Sequence, residues 1–139
     1  MTFTNKELSL IGAALYVCEG TKQREVRNHQ KIYSIEFTNT DPKVILLFLI
    51  FLRKVINPVE ERIKAELFLY HDLNEETLIE FWSNTTNIPR NRFNKSIYLK
   101  GSGSKFKHNP LGTIKIRYHH KEHFSKLQGI IDRVFGGVA

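Results

Sequence analysis

Glu19 closes an almost unbroken apolar run, Leu8 to Cys18, and is followed at once by Gly20. A carboxylate at the end of a helix sits against the negative end of the macrodipole, beside carbonyls without intrahelical donors, a local disadvantage of about 0.3–1 kcal/mol. A divalent cation would relieve it, since carboxylate oxygens, carbonyls and retained waters are the ligands Mg²⁺ accepts. The plain alternative is an exposed glutamate on a frayed last turn. His119, His120 and His123 contain an H-x3-H spacing, but no Glu follows the first His as in a zinc metalloprotease, so a basic rim beside phosphates is expected in preference to zinc. Cys18, inside the predicted helix, reads as a small buried hydrophobe rather than a nucleophile.

Anion binding is the second chemistry on offer. The chain carries 21 Lys and Arg against 14 Asp and Glu, a net charge of +7, and the excess is local. Residues 1–85 hold 10 basic and 12 acidic side chains, whereas residues 86–126 hold 10 basic ones against Glu122 alone. That block runs from Arg90, Arg92 and Lys95 through Lys100, Lys105, Lys107, Lys115, Arg117, Lys121 and Lys126. A surface that contacts phosphates has this composition, because each neutralised phosphate releases condensed counterions. A solubilising basic face is the bland alternative.

Thr4-Asn5-Lys6-Glu7 has capping-box spacing and predicts a helix over 5–19. On a helical wheel Leu8, Ile11, Ala14, Leu15 and Cys18 form a large apolar face suited to the domain's own sheet. Ser9, Gly12, Ala13, Tyr16 and Gly20 form a second, small-residue face that would let another helix approach closely. A strand is expected over 21–27, pairing through Asn28-His29-Gln30 with an alternating strand over 31–38. Asp41-Pro42 then opens an apolar helix to about Val55. Residues 62–70 alternate, with Ile63, Ala65, Leu67 and Leu69 inward and Arg62, Lys64 and Glu66 outward. Asn74 caps a short helix that carries Phe81 and Trp82 into the core; a helix-turn-helix over 74–95 is disfavoured by the strand pattern after Lys95. Strands follow at Ile97 to Leu99 and at 113–119, separated by a Gly- and Lys-rich loop, and a last amphipathic helix presents Phe124, Leu127, Ile131, Val134 and Phe135. The order predicts one α+β domain over residues 1–139, an antiparallel sheet with helices on one face and a basic, polar opposite face suited to a DNA groove.

The segment Ala13-Ala14-Leu15-Tyr16-Val17-Cys18-Glu19-Gly20 resembles the LAGLIDADG motif, an apolar small-residue helix ending in an acidic residue and glycine, here with Ala14 where the first glycine usually stands. The element order over about residues 5–135, with Phe37-Thr38-Asn39-Thr40-Asp41-Pro42 leading into the second helix, is similar to that of single-motif LAGLIDADG homing endonucleases. The resemblance implies an antiparallel sheet shaped as a DNA-binding saddle, with helices packed on the opposite face. It implies a homodimer joined through Ser9, Gly12, Ala13 and Tyr16, cutting a roughly palindromic double-stranded DNA target with Mg²⁺ or Mn²⁺. Glu19 and Gly20 would hold metal, Asn39 would orient water and Lys43 would stand near the scissile phosphate. DNA contacts would fall to Lys22, Arg24, Arg62, Lys64, Lys100, Lys105, Lys107, Lys115 and Arg117. A further active-site lysine that the family carries late in the chain has no counterpart in Gly136-Gly137-Val138-Ala139. A non-cleaving DNA-binding regulator on the same scaffold, or an RNA-splicing cofactor, is the alternative.

With 41% hydrophobic and 12% aromatic residues the composition excludes a disordered chain, and one cysteine excludes a disulfide framework or a Cys-based zinc module. Met1 to Glu7 lacks the pattern of a signal peptide and the longest apolar run, Val44 to Leu52, is too short to span a bilayer, so an intracellular, cytoplasmic protein without a membrane partner is expected.

Overall fold

Thr4 starts α1 (Asn5–Glu19) through the reciprocal bonds its spacing predicts: the hydroxyl accepts from Glu7 N–H at 3.1 Å and Glu7 Oε1 accepts from Thr4 N–H at 2.9 Å. The computed structural model describes residues 2–21, 24–25, 31–100 and 109–137. Two short strands, β1 (Arg24–Glu25) and β2 (Lys31–Ile32), pair antiparallel, with Arg24 opposite Ile32. The expected turn at 28–30 lies outside the described residues. The alternating stretch predicted as one strand divides at Tyr33, after which β3 (Ser34–Asn39) joins the main sheet.

Asp41 caps α2 (Pro42–Phe51), its Oδ1 accepting from Lys43 N–H at 2.9 Å, and the helix runs on through one π-helical turn, Leu52–Ile56, to Asn57 in the left-handed region. Then come β4 (Ile63–Tyr70), α3 (Glu75–Thr86, capped by Asn74), β5 (Ile97–Leu99), β6 (Thr113–His119) and α4 (Lys121–Phe135).

Among the described residues the main sheet has four strands in the order β3-β6-β4-β5. β6 is antiparallel to both β3 and β4, but β5 runs parallel to β4, so the sheet is mixed where a wholly antiparallel one was expected. The cause is α3. A helix between β4 and β5 carries the chain back across the sheet, and the next strand enters in the same direction as the last.

Burial alternates with period two along β4 and β6, whereas in β3 the outward Ser34 and Glu36 are covered as well. Ile35 and Phe37 from β3, Ile63, Ala65, Leu67 and Leu69 from β4, and Ile114, Ile116 and Tyr118 from β6 are all buried under the helices. Leu8, Ala13 and Tyr16 of α1, Ile45, Phe48, Leu49 and Phe51 of α2, Trp82 of α3 and Phe124, Leu127 and Ile130 of α4 complete the core. Trp82 Nε1–H donates to Leu111 O at 2.8 Å, which satisfies its one polar atom. Phe135, expected in the core, is exposed.

The two faces of α1 only partly keep the roles expected of them: Leu8 is buried and Leu15 packs against the core, but the small-residue face is buried too. Gly12, Ala13 and Tyr16 are buried, and Gly12 lies so close to the Phe51 ring that a Cβ would overlap it. The close approach that small residues permit is thus made to α2 of the same chain. Ser9 is half-buried and its hydroxyl donates to Asn5 O at 2.8 Å. Leu10, Ala14 and Cys18 face outward instead, so Cys18 is not the buried hydrophobe expected.

Two glycine substitutions should separate these environments. Gly12→Ala should lower stability by about 1–2 kcal/mol, because overpacking against Phe51 outweighs the gain in helix propensity. Gly129, in the middle of α4, has open space where a Cβ would go, so Gly129→Ala should raise stability by about 0.5–1 kcal/mol. Urea unfolding of both variants reads the two signs.

Candidate nucleic-acid interface and metal centre

Glu19 is the last residue of α1 and is exposed, with no basic residue in the final turn. The helix ends because Gly20 leaves the helical conformation for the extended one while its N–H still donates to Tyr16 O at 2.8 Å. Gly20 then bridges Phe37, and Thr21 N–H donates to Glu36 O at 2.9 Å, so the end of α1 is stitched to edge strand β3. The Tyr16 hydroxyl donates to Thr21 O and accepts from Glu36 N–H at 3.2 Å. A Cβ on Gly20 would overlap the Tyr16 ring, which gives the glycine a spatial reason.

The Glu19 carboxylate and the Gly20 carbonyl oxygen are donors of the kind Mg²⁺ takes, but they are few. Among the described residues no three His, Cys, Asp or Glu side chains come together as a metal-holding group. These two donors by themselves do not complete a divalent cation's ligand set.

Asn39 ends β3 on the same edge, and its Oδ1 accepts from Thr40 N–H and Asp41 N–H, both at 2.9 Å. The side chain thus builds the turn into α2, and its oxygen is committed to that role. Lys43 is exposed in the first turn of α2, its backbone N–H held by Asp41.

The outer face of the sheet brings together Lys64 of β4 and Lys115, Arg117 and His119 of β6, with Arg62 just ahead of β4. Two carboxylates that share this face offset part of its charge. Glu36, only 3% exposed, lies 3.7 Å from Lys115 Nζ and 3.8 Å from Arg117 Nε; Glu66 lies 3.7 Å from Arg117 Nη2. Lys115 Nζ also stands 5.4 Å over the Phe68 ring. Arg62 donates from Nη2 to His119 O at 2.6 Å, and Arg62, Lys64, Arg117 and His119 line a cleft of about 320 Å³ together with Glu61.

Other expected DNA contacts are dispersed. Lys100 is exposed just beyond β5, Arg24 is described only as part of β1, and Lys22, Lys105 and Lys107 lie outside the described residues. Arg90 and Arg92, part of the basic block, turn to structural work: Arg90 pairs with Glu76, and Arg92 donates to Glu60 O. Glu60 also accepts from Arg53 Nε and Nη2 at 2.9 and 3.1 Å, while Arg53 Nη1 donates to Thr86 O at 2.8 Å. Of the members the sequence left unassigned, the counterions Glu36 and Glu66 carried a signal only in their outward strand parity, since their partners are set by register, and Glu61, in the 3-10 turn before β4, carried none.

The three histidines do not form a ligand set. His119 is exposed on the sheet, whereas His120 caps α4, its Nδ1 accepting from His123 N–H at 3.1 Å. The His120 and His123 rings stack at 3.8 Å, and His123 Nδ1 lies 2.6 Å from the Tyr118 hydroxyl, which itself accepts from Val59 N–H at 2.9 Å. Burial, with the neighbouring His120 and Lys126, holds His123 below the usual imidazole range.

Comparison with protein-family models, with curated proteins and with solved structures found no match to this chain.

Because the folded state disfavours protonated His123, its contribution to stability is fully present above the ordinary imidazole value of about 6.5 and is lost as pH falls through the lower folded value. Thermal unfolding followed by circular dichroism should show Tm declining as pH drops below about 6.5. His123→Gln should flatten that part of the profile.

Proposed function

We propose that this chain is a site-specific double-stranded DNA endonuclease of the single-motif LAGLIDADG type, working as a homodimer with Mg²⁺ or Mn²⁺. The carrying observation is the exposed Glu19 carboxylate, fastened by Gly20 and Thr21 to the edge of a sheet whose open face presents Lys64, Lys115 and Arg117. The mixed α+β sheet, helices on one side and charge on the other, is compatible with the saddle that this reading requires.

In this reading the cationic face holds the duplex by its phosphates, and each neutralised phosphate steepens the dependence of affinity on salt. Glu19 and the Gly20 carbonyl oxygen would hold the metal against the scissile phosphodiester. The metal, when bound, supplies positive charge for the developing phosphorane oxygens and makes water a competent nucleophile at neutral pH. Lys43 would stand near the phosphate at the α2 end of the edge strand. Two copies would give one Glu19 to each DNA strand, and Leu10, Ala14 and Cys18 are the apolar or small exposed positions of α1 through which the copies would meet.

One observation favours the second reading, a sequence-specific DNA binder that does not cut. Asn39 Oδ1, the atom that would orient water, is engaged by two backbone N–H groups.

With a duplex selected for tight binding and Mg²⁺ or Mn²⁺ present, the wild-type chain should cut both strands, and Glu19→Gln should abolish cutting while retaining binding. Tight binding without any cutting by the wild type would establish the non-cleaving reading instead. Sedimentation should find a dimer that Leu10→Asp converts to monomer; a wild-type monomer on and off DNA would exclude the two-copy site.

A further inference from the structure

We propose that the cleft at the His119 end of β6 is a subsite for a single phosphodiester group, in which Arg62, Lys64 and Arg117 converge on one phosphate rather than tracking several. This rests on the nucleic-acid reading of the sheet and specifies where that surface grips the backbone most firmly.

Strand register supplies the first argument. Lys64 lies directly opposite Arg117 in the antiparallel β4–β6 pair, and like charges in that relation destabilise a sheet. The neighbouring pairs are complementary, Glu66 facing Lys115 and Glu36 facing Arg117. Among the described residues Lys64 has no carboxylate partner, whereas Arg117 stands beside Glu36 and Glu66, so the uncompensated positive charge of this pair sits on Lys64.

Geometry supplies the second. Glu36 and Glu66 engage Arg117 only at 3.7–3.8 Å, ion pairs without hydrogen bonds, and Arg117 Nε is buried with no acceptor among the described residues. Arg62 is fixed by its bond to His119 O, which spends one donor of its guanidinium and leaves the rest of the fork for a ligand. The cleft of about 320 Å³ between them has room for a phosphate with part of its sugar, and among the described lining residues Glu61 is the one carboxylate, which leaves a clear excess of positive charge. A phosphodiester supplies a negative charge and two non-bridging oxygens, which can accept from Lys64 and a guanidinium together.

The experiment measures duplex binding by fluorescence anisotropy across a salt series for wild type, Arg62→Ala, Lys64→Ala, the double variant and Lys54→Ala, an exposed lysine on the π-helical turn. If one phosphate is shared, each single variant should lower affinity and reduce the log–log salt slope by up to about 0.9, and the double variant should reduce it by no more than that. Lys54→Ala should change neither quantity. Additive losses with a slope change of about 1.8 in the double variant would mean two separate phosphates and overturn the shared subsite. Duplex affinity unchanged in Arg62→Ala and Lys64→Ala would overturn it while leaving DNA binding intact. If wild type shows no salt-sensitive duplex binding, the nucleic-acid reading fails on its own. Pyrophosphate titration followed by amide shifts at Lys64, Arg117 and His119 then decides the cleft: saturable shifts sustain an anion subsite, and none would remove it.

Discussion

Tyr16 holds the fold and the candidate site in one arrangement. A phenol whose ring lies in the core must satisfy its hydroxyl, and this one does so between Thr21 O and Glu36 N–H, on the segment that follows α1 and on the edge strand. Its ring stacks on Phe48 at 5.9 Å, and Phe48 stacks on Phe37 at 4.2 Å, so the helix end, α2 and β3 are registered by one aromatic column. Gly20 follows from that packing, since no side chain fits beside the Tyr16 ring. The position of Glu19 is thereby set by interior contacts, which lets an exposed carboxylate occupy a defined place with no side-chain partner of its own among the described residues.

The outer face works by a different balance. Glu36 is almost fully covered, and a carboxylate in that position requires cations close by; Lys115 and Arg117 provide them. A nucleic acid arriving at this face would compete with Glu36 and Glu66 for the same two side chains, so the cost of loosening those ion pairs would enter its affinity. Lys64 and Arg62 bear no such cost. The basic surface is thus graded, part of it committed inward and part directed to solvent, and the uncommitted Arg62 and Lys64 lie outside the basic block that a charge count finds over residues 86–126.

Much of the secondary structure is legible in the sequence because its determinants are local. Thr4 with Glu7, Asp41 with Pro42, and Asn74 lie within a few residues of the groups they cap, and each opens its helix as expected. Alternation in β4 and β6 likewise names the inner face residue by residue. What was not legible depends on partners distant in the chain. The small residues of α1 announce a close helix neighbour, but that the neighbour is Phe51 of the same chain is a tertiary fact. The direction of β5 depends on the path of α3, and the pairing of Arg92 with Glu60 depends on loop packing. At the candidate site the acidic helix end was found by type and place, whereas the counterions of the basic face emerged only from strand register.

Edge strands invite further strands, because their outer amides and carbonyls are unpaired. In this sheet the side of β3 away from β6 is occupied over Glu36 and Phe37 by Gly20 and Thr21, the residues that leave α1. The chain segment that carries the acidic residue therefore also acts as a stopper on the sheet. Loosening the helix end to reposition Glu19 would uncover a strand edge at the same moment, tying any mobility at this point to a risk of self-association.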